Sequence, residues 1–529
     1  MGLPLLGVLV ASALSQWPRA RAFAWLPLPL SATLALVAAW GAHSLSFEMT
    51  FGDWGPVSVT GAPLILASSL PATTIVIAVA VAHLATSLHP REANLRPDHT
   101  TSALLFGALA LAALSNNLLT LVVSIGLVDI LSVVAGIQRG RDHRRVIADA
   151  IFRGASSALL VIALALYLSM GNSLYIPLGV LPERLMPFIT ISLALRFGLA
   201  PLRAVAGQFH DAHWTSEAGA ISGLIVLTRL PPLSAPALPA WFYGLALLTV
   251  VLAGLIGAIT RRRTMLRLAI SSSALGLVIC SAALQQPGII AVATLSWLVG
   301  NQLVALSPRD DSAIGRRTAL TGRLIGSLCL IGLPLTAGFI ARAGVAALWT
   351  DQGPGGALLI AGFALGQALL TLAVLRITFA PTGITAYSIT LPSAGPLSLS
   401  VALSIFAIAI LGAHVLAFGI APTLAGAPDL ADALGRHGVS GWLAWALSVA
   451  IAAGAWWFES RWAGLFAPAR QRIYDVIGLG WLHTILDGAM SRLGLPLSQV
   501  FPVLEGGSAL LWTVVILLIV VLVNRPGGP

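Results

Sequence analysis

Lysine is absent from this chain of 529 residues, and all 29 of its basic side chains are arginine. An arginine keeps its proton at any relevant pH, whereas a buried lysine can give its proton up. Any proton chemistry therefore has to run through Asp, Glu or His. Charge of either sign is scarce: 9% of residues are charged, against about 25% in a soluble domain. Cysteine is nearly absent, and Cys280 and Cys329 sit in apolar runs without ligand spacing or histidine partners, which excludes zinc and iron–sulfur patterns. No Gly-rich phosphate loop follows a strand, and no nucleophile–base pair stands out. No cofactor and no active site of the chain's own are expected. Short segments of alternating hydropathy are missing, which excludes a membrane β-barrel.

What the chain has in abundance is apolar sequence, 57% of all residues. Runs of about 20 apolar residues recur from end to end, as spanning helices require. Lipid-facing backbone has to satisfy its own hydrogen bonds, so the fold class expected is an all-α integral membrane protein of roughly 14–16 transmembrane helices. Candidate spans include 2–16, 62–89, 116–138, 154–171, 186–206, 217–234, 319–347, 397–420 and 508–524. The first is read as a short membrane helix, since no basic residue precedes it and Arg19 and Arg21 follow it. The net charge of +10 is scattered through short loops, which points to topogenic signals and not to nucleic acid. Arginines cluster after odd-numbered spans, as at Arg139, Arg141, Arg144 and Arg145 or Arg261, Arg262 and Arg263. The positive-inside rule then places odd loops in the cytoplasm and both termini outside a plasma (inner) membrane. Residues 48–61 are expected to form an extracytoplasmic hairpin. The domain reading is a helical bundle over 1–457, an amphipathic interfacial segment or plain linker over 458–507, and a terminal membrane helix over 508–529.

Ionisable groups inside spans are costly, so each is a functional candidate. Asp129, deep in the fifth span, needs a partner or a raised pKa. It reads either as a proton site or as half of a structural ion pair with an arginine on a neighbouring helix. A second cluster follows Arg196: His210, Asp211, His213 and Glu217. It reads as a proton-entry station, as a solvated loop with capping residues or, more weakly, as a metal site. His83 and His414 are lone membrane histidines whose bland role is structural. Arg267 and Arg342 lie near span ends and are expected to snorkel. Gln367 and Asn301 are mid-span and suited to bridging helices.

The segment Ile325-Gly-Ser-Leu-Cys-Leu-Ile-Gly332-Leu-Pro334-Leu-Thr-Ala-Gly338-Phe-Ile-Ala-Arg342 resembles the Gly-Leu-Pro-Pro-x-x-Gly-Phe-x-x-Lys signature of the antiporter-like subunits of respiratory complex I. That family also includes membrane-bound hydrogenases, multi-subunit cation/proton antiporters and a bacterial inorganic-carbon transporter. Arg267 through Gly276, Asn116-Asn117 through Asp129, Asp211-Ala212 with Ser222, and Glu505 through Trp512 are similar to further segments of the family. The resemblance implies two inverted five-helix repeats, each with a broken helix, here at spans 7–8 and at Gly332-Leu-Pro334. It also implies partners: other membrane subunits of a multi-subunit complex, within the lipid bilayer.

The departures are as informative as the match. The family's fifth-helix glutamate becomes Asp129, and its seventh-helix lysine falls at Arg196 to Leu199. The next lysine falls at Trp297 to Asn301, the twelfth-helix group near Gln367, and the signature lysine becomes Arg342. Three functions follow as expectations. The first is a proton-translocating membrane subunit of a complex I-like, redox-linked assembly, using Asp129, Arg196 as a fixed charge, the His210–Glu217 cluster and His414. The others are a non-conducting structural paralogue, and the proton-coupling subunit of an inorganic-carbon transporter.

Overall fold

The computed structural model describes residues 3–17, 19, 26–44, 48–53, 63–87, 97–138, 143–170, 174, 176, 181–199, 214–229, 239–260, 263–283, 287–305, 323–333, 336–350, 353–379 and 438–477. The expected spans 397–420 and 508–524, and with them His414, lie outside the described residues, as do Pro334, His210, Asp211 and His213.

The chain is an all-α membrane protein with one small hairpin. Helices α1 (Leu3–Gln16) and α2 (Pro27–Ser44) are followed by strands β1 (Glu48–Asp53) and β2 (Pro63–Ala67). Then come α3 (Leu70–Ser87), α4 (Pro97–Leu114), α5 (Leu118–Gln138), α6 (His143–Ser169), α7 (Met186–Phe197) and α8 (Ala218–Arg229). The remainder is α9 (Ala240–Ile259), α10 (Arg263–Ala283), α11 (Pro287–Ala305), α12 (residues 323–331), α13 (Ala337–Thr350), α14 (Gly353–Phe379) and α15 (Gly438–Ile477). Short 3-10 turns, Glu183–Leu185 and Trp214–Glu217, lead into α7 and α8. Among the described residues, five helices are long and apolar enough to cross a membrane, within α5, α6, α9, α14 and α15.

Helix α3 is the axis of the bundle. Every residue from Ala72 to Leu84 is buried, so α3 is apolar on all sides rather than striped. It packs on α2, α4 and α11. Large apolar side chains of α1, α2, α5, α6 and α15 point outward, among them Leu9, Val37, Ile130, Val161 and Leu443, as lipid-facing surfaces require.

Three boundaries differ from the sequence expectation. The start of span 62–89 is a strand: Pro63–Ala67 pairs antiparallel with Glu48–Asp53, and the helix starts only at Leu70. Hydropathy alone cannot separate a short buried strand from a helix end. Span 6 begins at His143, not 154, which brings Asp149 and Arg153 into the helix. Their one-turn spacing pairs the two charges inside a segment whose hydropathy reads as loop. The span placed at 186–206 stops as a helix at Phe197, and the described helix of span 217–234 covers Ala218–Arg229. Span 319–347 divides into α12 and α13 after Gly332, where the resemblance implied a break.

The two helix breaks have the same chemistry. Gly198 ends α7 at φ 57°, and Leu199 N–H reaches back to Ala194 O at 3.1 Å. Gly332 ends α12 at φ 72°, and Leu333 N–H reaches back to Leu328 O at 2.9 Å. A left-handed glycine followed by a five-residue back-bond satisfies carbonyls that a helix end would otherwise leave open. The start of α5 is fixed by Asn117, whose Oδ1 accepts from Leu119 N at 2.8 Å and Thr120 N at 3.4 Å, an N-cap.

Helices α9 and α14 approach closely through small residues. A Cβ added at Gly366 would lie 2.3 Å from Val250 Cγ1, and one added at Gly254 would lie 2.8 Å from Leu369 Cβ. Overpacking of this kind costs about 1–3 kcal/mol. Gly366→Val should therefore lower the melting midpoint of the detergent-solubilised chain. Gly126→Val, whose Cβ meets nothing within 4 Å, should leave it unchanged in the same assay.

Candidate functional site

The first break brings four helices onto one ion pair. Arg196, in the last turn of α7, is 1% exposed and faces Asp129 of α5, 8% exposed. The contact is bidentate: Nη1 donates to Oδ1 at 3.0 Å and Nη2 to Oδ2 at 2.8 Å. The planar guanidinium matches the carboxylate in a way an ammonium cannot. Two serines complete the cage. Ser157 of α6 donates to Asp129 Oδ2 at 2.5 Å and accepts from Arg196 Nη2 at 2.6 Å. Ser222 of α8 accepts from Arg196 Nη1 at 2.7 Å and donates to Gly219 O at 2.8 Å. Ser156 and Ser192 clasp α6 to α7 beside the pair, each hydroxyl bonding the other residue's carbonyl, at 3.0 and 2.9 Å.

Two further carboxylates lie nearby. Asp149 of α6 holds Arg153 one turn later, with Arg153 Nε 2.9 Å from Asp149 Oδ2. Both are buried, and neither was anticipated as a site residue; the signal was their i, i+4 spacing. Glu217, half-buried at the end of its 3-10 turn, accepts from Ser271 Oγ of α10 at 2.7 Å. Trp297 Nε1 of α11 donates to the same Ser271 oxygen at 3.3 Å. Glu217 thus ties the segment after the first break to the second half of the bundle. His83 on α3 stacks on Phe106 at 5.7 Å and meets Trp214 edge-on at 6.0 Å, which is a packing role.

The second break is filled by Arg342. The sequence expectation was that Arg342 snorkels to the interface; instead it is 8% exposed and turns inward. Nε donates to Gln367 Oε1 at 2.7 Å, Nη1 to Gly338 O at 2.7 Å, and Nη2 to Leu330 O. Gln367 Nε2 closes the loop on Ile331 O at 2.6 Å. The open carbonyls at the end of α12 carry partial negative charge, which offsets the cost of burying a cation there. Gly338 has to be glycine for this approach: a Cβ would sit 2.1 Å from Cys329 O and 2.6 Å from Arg342 Nη1. Ser296 of α11 donates to the same Cys329 carbonyl at 3.1 Å.

The structure therefore assembles Asp129 with Arg196, and Glu217 with Ser271. It places Gly332, Gly338, Arg342 and Gln367 together at the second break. Among the described residues 239–379 there is no Asp, Glu or His. Every described carboxylate of the bundle core belongs to the first half.

Solved chains of antiporter and respiratory membrane complexes share this polytopic helical fold. A chain of the Mrp complex from Dietzia sp. DQ12-45-1b superposes with a TM-score of 0.70 at 14% identity, covering 100% of this chain and 64% of that one. A chain of respiratory complex I from Thermus thermophilus with bound NADH gives a TM-score of 0.61 at 16% identity, covering 86% and 99%. A chain of the membrane-bound sulfane sulfur reductase, an archaeal respiratory membrane complex, gives 0.60 at 16% identity, covering 80% and 77%. No family model matches the sequence, and no curated protein matches it.

Removing one partner of a buried ion pair costs about 3–5 kcal/mol, because the other charge is left uncompensated. Asp129→Asn should therefore destabilise the chain strongly. The double variant Asp129→Asn/Arg196→Gln should recover much of the loss, read as melting midpoints in detergent.

Proposed function

We propose that this chain is a proton-translocating membrane subunit of a complex I-like, multi-subunit assembly, with proton handling concentrated in its first half. The observation that carries this reading is the Asp129–Arg196 pair at the first break, held by serines from α6 and α8. A buried carboxylate bound to a permanent cation is a group whose protonation changes the local electrostatics by a full charge, which is what coupling requires. Arg196 stays charged throughout and modulates Asp129 without carrying protons. Ser157 and Glu217–Ser271 supply hydroxyl and carboxylate steps on either side. His210, Asp211 and His213 follow Arg196 in sequence and are suited to feeding this site from an interface; His414 is the corresponding candidate further along the chain.

One observation favours a second reading, a non-conducting structural paralogue. Arg342 occupies the second break with a fixed charge bonded to backbone carbonyls, and a buried guanidinium repels a migrating cation. Under both readings the lysine relay of the family is degenerate, and the partners are other membrane subunits.

The test is proton flux in vesicles containing the purified chain. The double variant Asp129→Asn/Arg196→Gln, which leaves no buried charge uncompensated, should conduct no protons while keeping its melting transition. Flux equal to that of the unaltered chain would sink the assignment of Asp129. A silent unaltered chain would instead support the structural paralogue.

A further inference from the structure

Arg153 is the buried cation that the reading above leaves without a task. It is 3% exposed on α6, one turn from Ser157. Its Nε lies 2.9 Å from Asp149 Oδ2, but the N–H is not aligned for a hydrogen bond, and Nη1 has no hydrogen-bond partner among the described residues. The guanidinium lies flat against α8. A Cβ added at Gly219 would sit 3.1 Å from both Cζ and Nη1, so a larger residue at 219 would crowd this seat and push the guanidinium by a few tenths of an ångström. Gly219 is two residues after Glu217, and its carbonyl already accepts from Ser222, the serine that holds Arg196.

Arg153 lies among carboxylates carried by three different elements: Asp149 of its own helix, Asp129 of α5, bonded to Ser157 one turn away, and Glu217, two residues before Gly219. A local staple between Asp149 and Arg153 would need neither the glycine seat nor a donor turned toward α8. An exposed i, i+4 pair is worth only about 0.2–0.5 kcal/mol, too little to justify burying two charges. In a water-poor interior, by contrast, one cation among several carboxylates couples them over longer distances than solvent would allow. The other described groups packed around this cluster are Arg196 on α7 and His83 on α3, which meets it through Trp214.

We propose that Arg153 is a positioning residue, a shared counter-charge that makes the Asp129–Arg196 pair and the Glu217–Ser271 bond respond to one another. The proposal rests on the proton-handling reading of this site and adds the element that links its two carboxylate stations. A proton gained by Glu217 frees Arg153 toward Asp129 and Asp149. A proton lost draws it back across Gly219. No proton leaves Arg153 itself in either direction.

A double-mutant cycle on the purified full chain tests the coupling without reference to transport. The melting shift of Arg153→Gln/Glu217→Gln should depart from the sum of the two single shifts, as for residues that share an interaction. Arg153→Gln combined with Glu183→Gln, an exposed glutamate before α7, should be additive. In proton-flux vesicles Arg153→Gln should lower flux about tenfold, the factor equivalent to about 1.4 kcal/mol. Arg153→Lys should restore part of it, and Gly219→Ala should lower it without removing a charge. Additive shifts for Arg153 and Glu217 overturn the proposal whatever the vesicles show. A non-additive cycle in a chain that passes no protons upholds the coupling and overturns the transport reading instead.

Discussion

A guanidinium buried among helices has to find an acceptor for its charge, and that single requirement organises this bundle. Arg196 finds Asp129, and Arg153 lies against Asp149. Three more find the ends of other helices. Arg229 of α8 donates to Ala113 O near the end of α4, Arg376 of α14 to the carbonyls of Gly257 and Ala258 at the end of α9, and Arg342 to Leu330 O of α12. Helix C-termini carry open carbonyls and partial negative charge, so each is a ready seat for a cation. The forked side chain reaches two or three such oxygens at once, where a lysine ammonium would offer a point charge on a flexible stem. The lack of lysine is thus matched by a structure in which arginines join helices that are distant in sequence.

The two halves use this device differently. In the first, Arg196 and Arg153 lie against carboxylates, while Arg229 is bonded to backbone carbonyls. In the second, the cations are balanced by backbone dipoles, which do not titrate. The breaks themselves are alike, each ending in a left-handed glycine with the same back-bonded leucine. The two breaks share a geometry, while among the described residues the buried carboxylates lie only at the first.

Much of this was legible in the sequence. The Gly-Leu-Pro segment located the second break at Gly332, and Asp129 stood out as a carboxylate in an apolar run. The resemblance, which sets Arg196 to Leu199 where the family has its seventh-helix lysine, offered Arg196 as a fixed charge beside Asp129. What was not legible has physical causes. Asp149 and Arg153 cancel each other within one turn, so hydropathy placed them in a loop and hid the longer α6. The direction in which Arg342 turns is decided by carbonyls that become available only once α12 ends, which no local pattern reveals. Ser157, Ser222 and Ser271 matter through partners 26 to 54 residues away. His210, Asp211, His213 and His414 lie outside the described residues.

The hairpin acquires a meaning through Arg229. This residue, at the end of α8, holds Ala113 O and, at 2.5 Å, Ala67 O of β2 in one guanidinium. Asn116 N–H bonds Ile65 O at 2.8 Å, so β2, the α4–α5 turn and α8 are riveted at a single point. Helix α8 is the segment that carries Ser222 and Gly219 to the ion pair. It cannot turn about its axis without dragging the hairpin, whose β1 strand is exposed at Glu48 to Thr50. The hairpin is therefore anchored to the same helix that carries the serine and the glycine beside the buried charges.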